Sequence, residues 1–179
     1  MNSEILLTHN ATQLRQAIGR KEVSPVELVE EYLNRIARYD TKLNSYITVC
    51  GDAALSMARK AEEALSNGDP LGPLHGLPLA VKDQFETEGI LTTGASSILA
   101  NYVPREDATV VARAKSAGAI LLGKLNMTEF AAGGGDHYKF GDPPRNPWNF
   151  DRTAGVSSAG SAIAIAASLC SISLGEDTG

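Results

Sequence analysis

The sequence lacks any uninterrupted apolar run approaching the roughly 20 residues that a helix needs to span a bilayer. It also lacks a basic start: Met1-Asn2-Ser3-Glu4 does not open a signal peptide, so the cytoplasm is the expected compartment. Positive charge is not in excess, since 16 Lys and Arg against 21 Asp and Glu give a formal net charge of −5, which argues against non-specific nucleic-acid binding. Paired cysteines are missing too. Cys50 and Cys170 stand apart without a C-x-x-C partner, so no metal or redox pair is assigned and both read as small buried thiols. What remains is an ordinary globular composition: 179 residues, 43 % hydrophobic and 21 % charged, are enough for one core and too apolar for disorder.

Two further absences narrow the chemistry of the stretch from Arg152 to Gly179, RTAGVSSAGSAIAIAASLCSISLGEDTG. Gly160 is followed by Ser161 and Ala162 rather than by Lys and a hydroxyl, so this is not a phosphate-binding P-loop. Gly155-Val156-Ser157-Ser158-Ala159 ends in Ala, so it is not a G-x-S-x-G nucleophile elbow. A small-residue loop feeding an apolar helix over Ala162–Leu169 leaves backbone N–H groups unpaired at the helix start. Composition leaves two readings open: a bland Ser/Gly helix start, or a loop whose serine relays a proton.

The rest of the chain alternates helices and strands. His9–Ile18 reads as a capped helix. Ser24-Pro25-Val26-Glu27 starts a second, with Val26, Val29, Leu33 and Ile36 at helical spacing up to about Tyr39 and a turn from Asp40 to Asn44. Ser45–Val49 alternates as a strand, and Asp52–Leu65 returns to helix. Leu79-Ala80-Val81 is a short apolar strand ending in Lys82-Asp83, the edge where open α/β sheets place their chemistry. Asp83 is expected either to pair with a cation or to cap the following loop, and Gly89–Ser97 is a loop of the kind that lies over a site. A helix over Asp107–Ala117, with Val110, Val111 and Ala114 inward, then a strand over Ala119–Leu122, make a βαβ unit. Ser171–Leu174 is a last strand, and the glycine run near Ala132 reads by itself as a connector.

Arg152, Gly155, Ser157, Ser158, Gly160 and Ser161, followed by Leu174, Gly175, Asp177, Thr178 and Gly179, resemble the signature of the amidase signature family of serine hydrolases. The resemblance continues upstream through Gly76-Leu77-Pro78-Leu79-Ala80-Val81-Lys82-Asp83, Gly123-Lys124-Leu125-Asn126-Met127-Thr128-Glu129-Phe130 and Arg145-Asn146-Pro147-Trp148, where Trp148 is expected to pack. Ala154, Val156 and Ala159 depart from the family pattern, which has Pro, Gly and Gly there. The resemblance implies an α/β fold with a mixed, largely parallel sheet flanked by helices, incomplete in this chain.

It also implies amide hydrolysis through a Ser–Ser–Lys triad, with Lys82 as the ultimate base and Ser157 as the bridging serine after a cis peptide bond. The attacking serine ends the family's D-T-G-G-S motif and is not among these residues. Backbone N–H groups of Thr178 and Gly179 are the implied oxyanion donors, each worth about 2.7–4 kcal/mol in comparable sites. Ala132, Gly133 and Gly134 are implied to line the acyl pocket, with Ser158 in support and Asp177 as a buried organiser of its turn. No cofactor or metal is expected. The partner is a small-molecule amide; a homodimer stays open, as does membership of a glutamyl-tRNA amidotransferase as its A-type chain, releasing ammonia from glutamine for partner subunits. A contrasting expectation is an inactive truncated fragment.

Overall fold

The structure, a computed structural model, describes residues 8–132, 138–140 and 142–177. Helix α1, Ala11–Gly19, begins with a reciprocal cap in which Asn10 and Gln13 each accept the other's backbone N–H. Helix α2, Pro25–Leu43, starts as its sequence requires: the Ser24 hydroxyl accepts the N–H groups of Val26 and Glu27, and Pro25 occupies the first turn. It runs past the turn expected at Asp40 and ends at Asn44 in the left-handed conformation (φ 52°). Buried Asp40 accepts the backbone N–H groups of Ser45 (2.8 Å) and Tyr46 (3.1 Å), so its carboxylate ties the helix end to the next strand.

That strand is β1, Tyr46–Val49, followed by α3, Gly51–Asn67, which closes at Gly68 with φ +77°. Then come β2, Pro78–Lys82; α4, Thr109–Ser116; β3, Ile120–Leu125; α5, Ala159–Ala166; and β4, Ile172–Leu174. Helix α5 begins three residues before the apolar run, because residues 159–161 form its first turn. The sheet order is β1-β3-β2-β4, with β2 parallel to both neighbours and β1 antiparallel to β3. This is the mixed, largely parallel sheet flanked by helices that the resemblance implies. Among the described residues no helix is long and apolar enough to cross a membrane.

Apolar residues fill both faces of the sheet. Ala80, Ile120, Leu122 and Leu125 join the core made with α1, α2, α3 and α5. Leu79, Val81 and Leu121 pack with Val111 and Ala119 on the other side. Val111 alone of α4 is buried while Val110 is exposed, contrary to the expected inward pair; adjacent helical residues lie about 100° apart and cannot both face the sheet. Two more packing expectations fail. Trp148 is 83 % exposed, in a turn where its N–H is held by Asn146 Oδ1 (3.0 Å), and Cys50 is only half-buried at the start of α3, whereas Cys170 is buried.

One irregularity decides where charged side chains go. Between Leu79 and Ala80 of β2, strand β3 advances two residues, from Leu121 to Gly123. A bulge of one residue reverses the alternation of faces. Leu125 therefore faces the same core as Leu122, and Lys124 is turned to the opposite face. Gly123 is required there: a Cβ at that position would lie 2.1 Å from Thr48 O on β1.

Candidate active site

Lys82 is the last residue of the central strand and is fully buried (0 % exposed). With β3 on one side and β4 on the other, its side chain leaves the strand beneath the start of α5. Its Nζ donates to Ser157 Oγ at 2.6 Å. Ser157 stands in the loop before α5, and the Val156–Ser157 peptide bond is cis, as the resemblance implies. The turn uses Gly155 at φ +91°, a region that favours glycine, and points Val156 outward at 55 % exposure.

The loop is held to the sheet by the segment that follows β3. Asn126 accepts the N–H of Gly160 (2.9 Å) on its carbonyl while its own N–H goes to Ser45 O (2.8 Å), and Thr128 N–H reaches Ser157 O at 3.4 Å. Gly160 is what permits this contact, because a Cβ there would sit 2.5 Å from both backbone N and O of Asn126. The Asn126–Thr128 stretch, legible in the sequence only as part of a motif, thus locates the loop that carries Ser157.

A third group enters that sequence reasoning missed. Glu176, in the turn after β4, accepts from Lys82 Nζ at 2.7 Å and from Ser157 Oγ at 3.3 Å. Its backbone is clamped by Ser158, whose Oγ donates to Glu176 O (3.0 Å) and accepts from Glu176 N–H (3.3 Å). Ser158 occupies the N-cap position of α5 but makes no side-chain cap bond, because its hydroxyl is spent on this clamp. A usable signal existed: an acidic residue two positions past a short strand that neighbours β2 arrives at the same sheet edge as Lys82. Asp177 is exposed, so the expectation of a buried organiser is corrected; the inward carboxylate of this turn is that of Glu176.

On the opposite face, Asp83 forms a fully buried ion pair with Lys124 (3.3 Å). Lys124 Nζ also donates to Phe85 O (2.8 Å) and Thr92 Oγ1 (2.6 Å), and Asp83 Oδ2 accepts the N–H of Thr93 (2.8 Å). Both roles expected of Asp83 hold together, a cation partner and a cap on the Gly89–Ser97 loop. Burial holds the Lys124 ammonium below its usual range, and the Asp83 carboxylate opposes that effect. Ala132 is exposed, and its N–H is taken by Glu129 O (3.0 Å). Gly133, Gly134, Thr178 and Gly179 lie outside the described residues. Among the described residues no three His, Cys, Asp or Glu side chains gather as a metal would need.

Chemically, the site joins a buried amine, a hydroxyl and a carboxylate at the end of a parallel strand, a set suited to moving protons. The sequence pattern that defines the family described as Amidase matches residues 27–179. The chain belongs to the amidase signature family. Among curated relatives of this chain, the A-type chain of the glutamyl-tRNA(Gln) amidotransferase of Aromatoleum aromaticum is 48 % identical over 174 residues, covering 97 % of this chain and 35 % of the relative. The chain therefore spans about a third of the length of that protein. Its backbone superposes on native peptide amidase from Stenotrophomonas maltophilia with a TM-score of 0.85 at 32 % identity, covering 93 % of this chain and 35 % of that one. It also superposes on a vestigial protein complex bearing on the origins of an s-triazine catabolic enzyme, with a TM-score of 0.90 at 38 % identity over 95 % of this chain and 37 % of that one.

Proposed function

We propose that this chain forms the N-terminal part of an amidase signature domain and supplies the lysine and bridging serine of an amide hydrolase. The single observation that carries the reading is the 2.6 Å contact between buried Lys82 Nζ and Ser157 Oγ. A serine hydroxyl attacks poorly until a base takes its proton. The attacking serine, supplied by sequence beyond these residues, passes its proton to Ser157 Oγ as Ser157 passes its own to the neutral Lys82 amine. A C–O bond forms to the amide carbon, and the carbonyl oxygen becomes an oxyanion facing the N–H groups of Thr178 and Gly179. Collapse breaks the C–N bond, and the proton returns through Ser157 to the leaving nitrogen. Water then repeats the cycle on the acyl-serine and releases the acid. Ala132, Gly133 and Gly134 line the acyl side, and Ser158 supports the turn through its clamp on Glu176. No step calls for more than side chains and water, and the cytoplasm suits a small-molecule amide substrate.

A second reading is favoured by the relatives: those from Aromatoleum aromaticum and Geobacter metallireducens, at 48 % and 49 % identity, are both A-type chains of glutamyl-tRNA(Gln) amidotransferases. On that reading the amide is glutamine and the released ammonia passes to partner subunits. The intact mass of the natural protein and labelling with a serine-reactive fluorophosphonate test both. A mass well above 18.9 kDa, with the probe on a serine beyond Gly179, supports the hydrolase. Lys82→Met and Ser157→Ala should then each lower kcat about 10²–10⁴-fold without unfolding the protein. Co-purifying partner proteins with tRNA-dependent glutaminase activity select the second reading. A natural mass near 18.9 kDa with no labelling leaves an inactive fragment and ends both.

A further inference from the structure

We propose that Glu176 is a positioning residue whose carboxylate pairs with Lys82 Nζ and holds that amine against Ser157 Oγ, and so supports proton transfer between the two. The inference rests on the hydrolase reading above for its effect on rate, though not for its effect on Lys82 itself. An ammonium carries three donors and no acceptor, whereas a base must present a lone pair to the hydroxyl it deprotonates. Two of the Lys82 donors are directed to Ser157 Oγ (2.6 Å) and Glu176 Oε1 (2.7 Å), the arrangement of a charged amine between a hydroxyl and its counter-ion. An opposite charge at contact distance favours the charged form. Lys82 is fully buried and Glu176 is 26 % exposed, so the field between them is screened on one side only.

Among the described residues nothing else around Lys82 duplicates that charge. Asp83 follows it on β2, but its carboxylate is turned to the far face, where Lys124 of β3 offsets it. Helix α5, AGSAIAIA, brings no charged side chain, and the Gly155–Ser158 loop brings none. Beyond β4 the acids are Glu176, which faces Lys82, and Asp177, which is exposed. The clamp from Ser158 ties the Glu176 backbone to the loop that carries Ser157.

The test uses the full-length natural protein labelled with ε-15N-lysine, with the Lys82 signal assigned by its loss in Lys82→Met. In wild type the Lys82 15Nζ signal should stand apart from those of the other lysines at neutral pH, and in Glu176→Gln, which keeps an acceptor and the shape but removes the charge, it should move towards them. On a chromogenic aryl anilide and on glutamine, Glu176→Gln should lower kcat about 10²-fold with KM little changed, and Glu176→Asp should recover part of that loss. A purely structural Glu176 would lower kcat and raise KM together in both variants, and an unchanged kcat together with an unchanged Lys82 signal overturns the proposal. A displaced ammonium signal in a protein without amide hydrolysis keeps the proposal and removes the hydrolase reading. If Glu176→Gln does not fold, Ser158→Ala, which frees the Glu176 backbone while keeping both charges, must shift the same signal in the same direction, and failure to do so also overturns it.

Discussion

Asp83 and Lys124 form an ion pair in the interior in which neither side chain is exposed. Such a pair adds little net stability, but breaking it leaves an uncompensated buried charge. Asp83→Ala should therefore destabilise the fold by about 3–5 kcal/mol, read from urea denaturation, and should release the Gly89–Ser97 loop, which loses its acceptor for Thr93. The double variant Asp83→Leu with Lys124→Met should recover most of that loss; equal destabilisation of the single and double variants would show that the pair itself is not the cause. At this scale the sequence was half legible. Lys82 and Asp83 announced themselves at the end of an apolar strand, while Lys124 read only as a residue after one. Whether a strand residue faces one core or the other depends on pairing, and the bulge opposite Leu79 and Ala80 reverses the parity that alternation would assign.

The start of α5 is the element on which the site depends. Its first turn presses on the backbone of Asn126 and on Ser45 O, where a Cβ at Gly160 would meet atoms at 2.5 and 2.6 Å. Backbone on both sides cannot rotate away as a side chain could, so Gly160→Ala must displace the helix. A cost of about 1–3 kcal/mol in denaturant titration is expected, together with loss of fluorophosphonate reactivity larger than the stability loss explains. Unchanged labelling would show that the Ser157 loop keeps its place without that contact. Capping residues and periodicity made α1, α2 and the β2–α4–β3 unit readable, because those signals are local. The true start of α5 was not readable, since small residues permit a helix without requiring one and the contact with Asn126 supplies the requirement.

For the whole molecule, the response to alkali follows from what the core buries. Burial pushes the Cys170 thiol up to about 12, and the Tyr46 phenol, whose hydroxyl donates to Leu169 O (2.9 Å), also well above its ordinary value. Above pH 9 the unfolded chain ionises its thiol while the folded chain keeps its proton. The folded state then binds more protons, so stability falls as pH rises from about 9 towards 12, by about 1.4 kcal/mol per pH unit for a single group. Lys124 acts in the opposite sense, because the folded amine releases its proton before the unfolded one. Cys170→Ala should be destabilised at neutral pH by its cavity, yet its urea midpoint should fall less than that of wild type between pH 9 and 10.5. Parallel midpoints would exclude the thiol as the source. By itself the sequence determined the order of elements, because local propensity is carried by neighbouring residues, and its resemblance to the amidase signature family implied the fold class and the candidate pairing of Lys82 with Ser157. Only the tertiary structure decided that Glu176 faces Lys82, that Asp177 faces out and that Lys124 meets Asp83. Those choices depend on which strands lie side by side and on the register between them, and no stretch of chain contains that information alone.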